Sequence, residues 1–147
     1  MDHTDMKILN ALHENSRMTI SEIGKRVNLS IPSVTERIRK MDEAGIIECY
    51  TIKINRAKTN YKLLAYVLVT LDRTEHIEGF RNAMLECASV LECHHIAGEY
   101  DYLLKVLVED PMQLERFLSE TLKKIPGVQK SNTMITLSTV KENLNIL

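Results

Sequence analysis

Apolar positions recur at helical spacing along the first third of the chain. Ile8, Leu9 and Leu12 form one stripe, Ile20, Ile23 and Val27 a second, and Val34, Ile38 and Met41 a third. Each stripe carries its own start and stop signals. Asp2 and Asp5 favour a helix start, and Asn15-Ser16 ends that helix. Thr19 and Glu22 stand at capping-box spacing. Ser30 is an N-cap with Pro32 in the first turn that follows, and Gly45 is a C-terminal stop. Only Asn28-Leu29-Ser30 separates the second helix from the third, so residues 19–39 predict a helix-turn-helix. Ile46 to Ile54 is β-prone and alternates in its later part, Tyr50, Ile52 and Ile54 against Thr51 and Lys53. Three helices followed by a strand or ribbon predict a winged helix-turn-helix.

The pattern changes after residue 62. Leu63 to Leu71 is a near-continuous apolar run, too short to cross a membrane and suited to a buried strand. His76 to Cys87 is helical in pattern, with Ile77, Phe80, Ala83 and Met84 on one face. Val90 to Ala97 and Tyr100 to Val108 predict two strands around a Gly98-Glu99 turn. Asp110 caps a further helix with Leu114, Phe117, Leu118 and Leu122 inward. Pro126-Gly127 stops it, and Val128 to Val140 supplies a last β-rich segment. The order β-α-β-β-α-β is the ferredoxin-like arrangement, and the fold class is α+β. Helices on one face of an antiparallel sheet leave the other face for a partner subunit, which the apolar content of these strands favours.

Charge qualifies the picture. Residues 1–55 hold eight lysines and arginines against eight aspartates and glutamates, so the helical module lacks the strongly basic footprint usual for DNA binding. Positive charge is concentrated locally, three cations to one acid from Ser30 to Lys40. With few phosphate contacts per chain, useful affinity calls for a dimer or a larger assembly.

At about 100° per residue, Val34, Ile38 and Met41 fall within roughly 60° of one another and point inward. Pro32, Ser33, Glu36, Arg39 and Lys40 lie on the far side, with Thr35 and Arg37 on the flanks. The first residues of a recognition helix reach base edges. Ser33 and Glu36 are therefore candidate base readers, since a hydroxyl suits several bases and a carboxylate accepts from cytosine N4. Arg39 and Lys40 suit phosphates. Ser30, Pro32, Thr35 and Arg37 complete the candidate DNA-contacting set. Two local alternatives stand beside it: Glu36 pairing with Lys40 at i+4, and Arg37 packing its stem while pairing with an acid.

No nucleophile elbow, phosphate loop or dinucleotide fingerprint occurs, so no catalytic residue or cofactor is predicted. Cys49, Cys87 and Cys93 are odd in number and widely spaced, which fits reduced thiols in a cytoplasm. Cys93-His94-His95 lies on a predicted strand, where adjacent side chains point to opposite faces, so no metal site is predicted.

The LSxxxVxxRIRxM pattern of residues 29–41, paired with IAGEYDYLLKV and KKIPGV in the second half, resembles the leucine-responsive / asparagine-regulator (Lrp/AsnC) family of transcription regulators. The resemblance runs from Asp5 to Val140. It implies a winged helix-turn-helix over residues 1–54, a linker over 55–62, and a ferredoxin-like oligomerisation and effector-binding domain over 63–147. It also implies double-stranded DNA as partner, homodimers assembling further, often to octamers, and an amino acid or related metabolite as effector. The effector site it implies lies between dimers, near Gly98, Glu99, Tyr100 and Asp101 and near Thr133, Ile135 and Thr136. There Asp101 would pair with an ammonium, and the backbone around Gly98 would approach closely. On turn preferences alone, Gly98 is a turn glycine and Asp101 an end-of-strand ion-pair partner. The alternative function is a metabolite-binding regulatory subunit acting through protein contacts, because fold does not fix function.

Overall fold

A computed structural model describes residues 1–145. The chain divides into two units, one of residues 1–54 with the described residues from Lys141, the other of Asn55–Val140.

In the first unit three helices, α1 (His3–Glu14), α2 (Ile20–Val27) and α3 (Ile31–Glu43), enclose Ile8, Ala11, Ile23, Val34 and Met41. Local signals set their ends. Asp2 and Asp5 form a capping box on α1, and Thr19 and Glu22 form one on α2. The Ser30 hydroxyl accepts from the Ser33 amide at the start of α3. Asn28 takes a left-handed conformation at φ 58°, which closes α2 and turns the chain towards α3. Gly24 lets the turn fold against α2, since a Cβ there would lie 2.7 Å from the Leu29 carbonyl oxygen.

The segment after α3 corrects one expectation. Ile46 to Ile54 forms no strand among the described residues. The Ile46 and Ile47 amides both donate to the Met41 carbonyl, and the rest runs on without ladder bonds. Its polar fastenings are the Tyr50 hydroxyl to Asp42 and the Lys53 ammonium to the Glu142 carbonyl. Tyr50, Ile52 and Ile54 are exposed.

The second unit is a four-stranded antiparallel sheet in the order β2-β3-β1-β4, built of β1 (Leu63–Leu71), β2 (Val90–His95), β3 (Tyr102–Val108) and β4 (Val128–Ile135). Strands β2, β3 and β4 are shorter than expected, and Thr136 to Val140 lies beyond the ladder. Helix α4 (Ile77–Glu86) and the short α5 (Pro111–Arg116) cover one face. Beyond α5 the chain widens into a π-turn over Phe117–Thr121 and tightens over Leu122–Lys124, where an unbroken helix was expected. Ala65, Val67, Val69, Tyr102, Leu104, Val106 and Val108 pack from the sheet against Phe80, Met84, Leu114, Phe117 and Leu122. Period-two alternation sends Tyr66, Leu68, Leu103, Leu107 and Met134 to the opposite face. Among the described residues of this unit no helix lies on that face, and Glu92, Lys105 and His94 border it.

Candidate nucleic-acid interface and effector region

Capping fixes where α3 begins, and the inward stripe fixes its rotation. Val34 and Met41 are buried, Ile38 packs beside them, and Pro32, Ser33, Glu36, Arg39 and Lys40 are exposed on the other side. At the head of the helix the Ser30 and Ser33 hydroxyls are 2.8 Å apart, so both stay close to the N-terminus. Thr35 turns its hydroxyl back to the Ile31 carbonyl at 2.9 Å, which engages its proton within the helix.

The charged residues form two clusters. Glu36 takes Arg39 in a bidentate pair, accepting from Nε at 2.9 Å and Nη2 at 2.7 Å, and reaches Lys40 at 3.7 Å. Arg39 also donates to Glu43. The Arg39 hydrogen bonds, before all else, hold the Glu36 carboxyl down to about 2, and Arg39 is in turn raised by Glu36 and Glu43. The Glu36–Lys40 pairing weighed from the sequence therefore exists, and Arg39, which sequence reasoning assigned to phosphates alone, is the closer partner.

Arg37 belongs to the other cluster. Its guanidinium donates to Asp2 at 2.8 Å and to Asp5 at 2.6 Å, and the Asp5 side chain is only 15 % exposed. Asp2 lies at about 2, held there first by the Asp5 amide and then by Arg37. Of the candidate DNA contacts, Arg37 is the one whose charge is committed to α1. Sequence reasoning had Asp2 and Asp5 as helix-start residues and missed that they reach α3. Only the tertiary fold brings residues 35 and 32 positions apart together.

In the sheet unit, Gly98 sits at φ +150° in the turn between β2 and β3. Asp101 follows, and its role is a backbone one: its amide donates to Val69, and its carboxylate accepts from the Leu71 amide at 2.8 Å. The ion pair considered for it is not among its contacts. Glu99 instead reaches Lys130 at 3.5 Å, and Lys130 lies 5.4 Å from the Tyr100 ring centre. The turn thus sits at the Leu71 end of β1. Thr133 and Ile135 pair with Val67 and Ala65, and the Thr136 amide donates to Leu64, at the other end. Leu64 and Leu71 are seven residues apart, about 23 Å of strand. One chain does not bring the two halves of the expected effector site together.

Cys93 and His95 face the helices and His94 faces away, as strand alternation requires. His95 stacks on Tyr102, and His94 hydrogen-bonds Glu92 at 3.0 Å. Burial pushes the Cys93 thiol up, away from thiolate chemistry.

Comparison with known proteins divides the chain in the same two parts. Residues 1–48 match a family model described as winged helix-turn-helix DNA-binding, and residues 64–146 match the Lrp/AsnC ligand binding domain. The leucine-responsive regulatory proteins of Klebsiella pneumoniae and Escherichia coli K12 are each 35 % identical over 145 residues, covering 97 % of this chain and 88 % of theirs. A Neisseria meningitidis transcriptional regulator solved in complex with L-Met superposes with a TM-score of 0.95 at 30 % identity, over 100 % of this chain and 96 % of that one. An AsnC family regulator from Agrobacterium tumefaciens gives 0.93 at 28 %, over 100 % and 97 %.

Proposed function

Because this chain belongs to the Lrp/AsnC family of DNA-binding transcription regulators, we propose that α3 enters the major groove and that an amino acid or related metabolite on the sheet unit modulates binding. The observation that carries the DNA reading is the exposed face of α3, with Ser33 and Glu36 ahead of Arg39 and Lys40. Ser33 and Glu36 read bases; Arg39 and Lys40 meet phosphates. The working unit is a dimer closed through the uncovered sheet face, with recognition helices about 34 Å apart on half-sites of two-fold symmetry. Replacing Arg39 and Lys40 together with alanine weakens binding to every sequence. At the preferred half-site it flattens the dependence of log K on log salt by about 1.8 per protomer, since each lost contact removes about 0.9. An unchanged slope in the double variant sinks the assignment of this face. The three cysteines are free, which suits a reducing compartment, and the site of action we assign is the cytoplasm.

The effector reading draws support from the L-Met complex of the Neisseria regulator, together with the matched ligand binding domain. The ammonium pairs with Asp101, and backbone groups at the Gly98 turn take the carboxylate. A second copy supplies Thr133 to Thr136, because within one chain that segment lies at the far end of β1. Asp101→Asn keeps an oxygen for the Leu71 amide and removes the charge. Affinity for the amino acid falls more than tenfold, as the loss of one partner of a desolvated charge pair costs about 2–5 kcal/mol, while folding and DNA binding persist. Calorimetry with a panel of amino acids checks this, and an Asn variant that binds as well as the parent makes Asp101 purely structural.

A further inference from the structure

Every cation on α3 is engaged by a carboxylate of its own unit. Arg37 is held by Asp2 and Asp5, Arg39 by Glu36 and Glu43, and Lys40 by Glu36. A phosphate approaching this helix meets three cations matched by four carboxylates, two of which, Glu36 and Glu43, flank Arg39. We propose that Glu36 and Glu43 form an electrostatic latch on Arg39, releasing it to the DNA backbone where the duplex offers Glu36 a cytosine amino group in exchange. The inference rests on the reading of α3 as the recognition helix and deepens it by assigning sequence discrimination to the acids.

The geometry suits an exchange. Both Glu36 oxygens face Arg39, so accepting from a base edge competes directly with the guanidinium. The side chains of Glu36, Arg39 and Glu43 are 48 %, 51 % and 61 % exposed, and pairs so open to water are weak enough to be traded. On a sequence without the right donor, Glu36 stays on Arg39 and both acids stand against the phosphates. Like charges then penalise the wrong site, which is discrimination by repulsion as much as by attraction. At a cytosine, the amino group satisfies Glu36 and Arg39 turns to a phosphate. The latch also accounts for a helical unit with no net basic charge: non-specific affinity is kept low by design of the helix surface.

Glutamine at either acid keeps the helix propensity and shape while removing the charge. The test measures binding of the parent, Glu36→Gln and Glu43→Gln to a random-sequence duplex and to a half-site selected by the parent, across a range of salt. Both variants bind the random duplex more tightly, with a slope of log K against log salt steeper by about 0.9 per cation freed. Glu36→Gln also loses the preference for cytosine at one position of the half-site, and Glu43→Gln keeps it. Circular dichroism verifies that the helices persist. If Arg39→Ala weakens binding yet both glutamine variants match the parent in affinity, slope and base preference, the latch is overturned and the DNA reading survives. If the parent binds neither duplex, both fall.

Discussion

Leu68→Glu converts the assembly to a folded monomer and weakens operator binding by at least about 100-fold. Leu68 is half-buried at the middle of the uncovered sheet face, opposite Leu103 on one side and Asn132 on the other, with Tyr66 and its partner Met134 next along the sheet. It is no part of the core beneath the helices, so the sheet unit keeps its own packing when Leu68 changes. A carboxylate in a closed sheet-to-sheet interface must be desolvated, and Lys105, opposite the neighbouring Tyr66, is already engaged by Glu92, so burying the new charge is costly. Loss of the dimer then removes the second helix-turn-helix from each operator. Linking two binding modules raises apparent affinity by about 10²- to 10⁴-fold, and the monomer forfeits that gain. Sedimentation velocity at micromolar protein reads the mass, and circular dichroism reads the fold. A variant that sediments as a dimer shows that the partner sits elsewhere.

Gly127→Ala lowers the stability of the sheet unit by about 2–6 kcal/mol. Two costs add. Gly127 stands at φ +90°, where a side chain adds strain of about 1–3 kcal/mol. A Cβ there would also lie 2.4 Å from the His76 Cβ, an overlap that adds about 1–3 kcal/mol of overpacking. His76 cannot swing clear for nothing, because its Nδ1 is 2.7 Å from the Asp72 carboxylate, and the Asp72 amide donates to the Gly127 carbonyl. The three residues fasten the end of β1 to the start of β4. Thermal unfolding reads the loss, and a double-mutant cycle with His76→Gly, which removes the Cβ that the new methyl would strike, recovers the steric part but leaves the strain. A Gly127→Ala protein that melts with the parent shows that the junction adapts and refutes the steric argument.

The elements with local signals were legible from the residues. Asp2, Thr19, Ser30 and Asp110 each cap the helix that their position announced, because capping is decided within four residues. The α3 face was legible too, since a helix of known start and apolar stripe has only one rotation. What escaped depended on distant partners. Alternation in Tyr50, Ile52 and Ile54 signals a half-covered strand but does not supply the neighbour that makes one. Arg37 lay on a flank of the helix, equally open to DNA or to an acid, and residues at the other end of the unit decided it. Asp101 read as an ion-pair partner because its sequence neighbours do not reveal the Leu71 amide, thirty residues earlier, that faces its carboxylate. The π-turn at Phe117–Thr121 hid for a simpler reason: one wide turn leaves Leu114, Phe117 and Leu122 on the inner side, as a regular helix would.

The grouping of the residues from Lys141 with the helical unit gives the chain an unusual covalent plan. The sheet unit is entered after Ile54 and left after Val140, so one polypeptide link joins it to the helices and a second carries the chain on to the segment from Lys141. A protease that nicks only the entry link, near Arg56 to Lys62, leaves two fragments with no covalent bond between them, associated through non-covalent contacts such as that of the Lys53 ammonium with the Glu142 carbonyl. Two bands on a denaturing gel would then accompany a single species in solution.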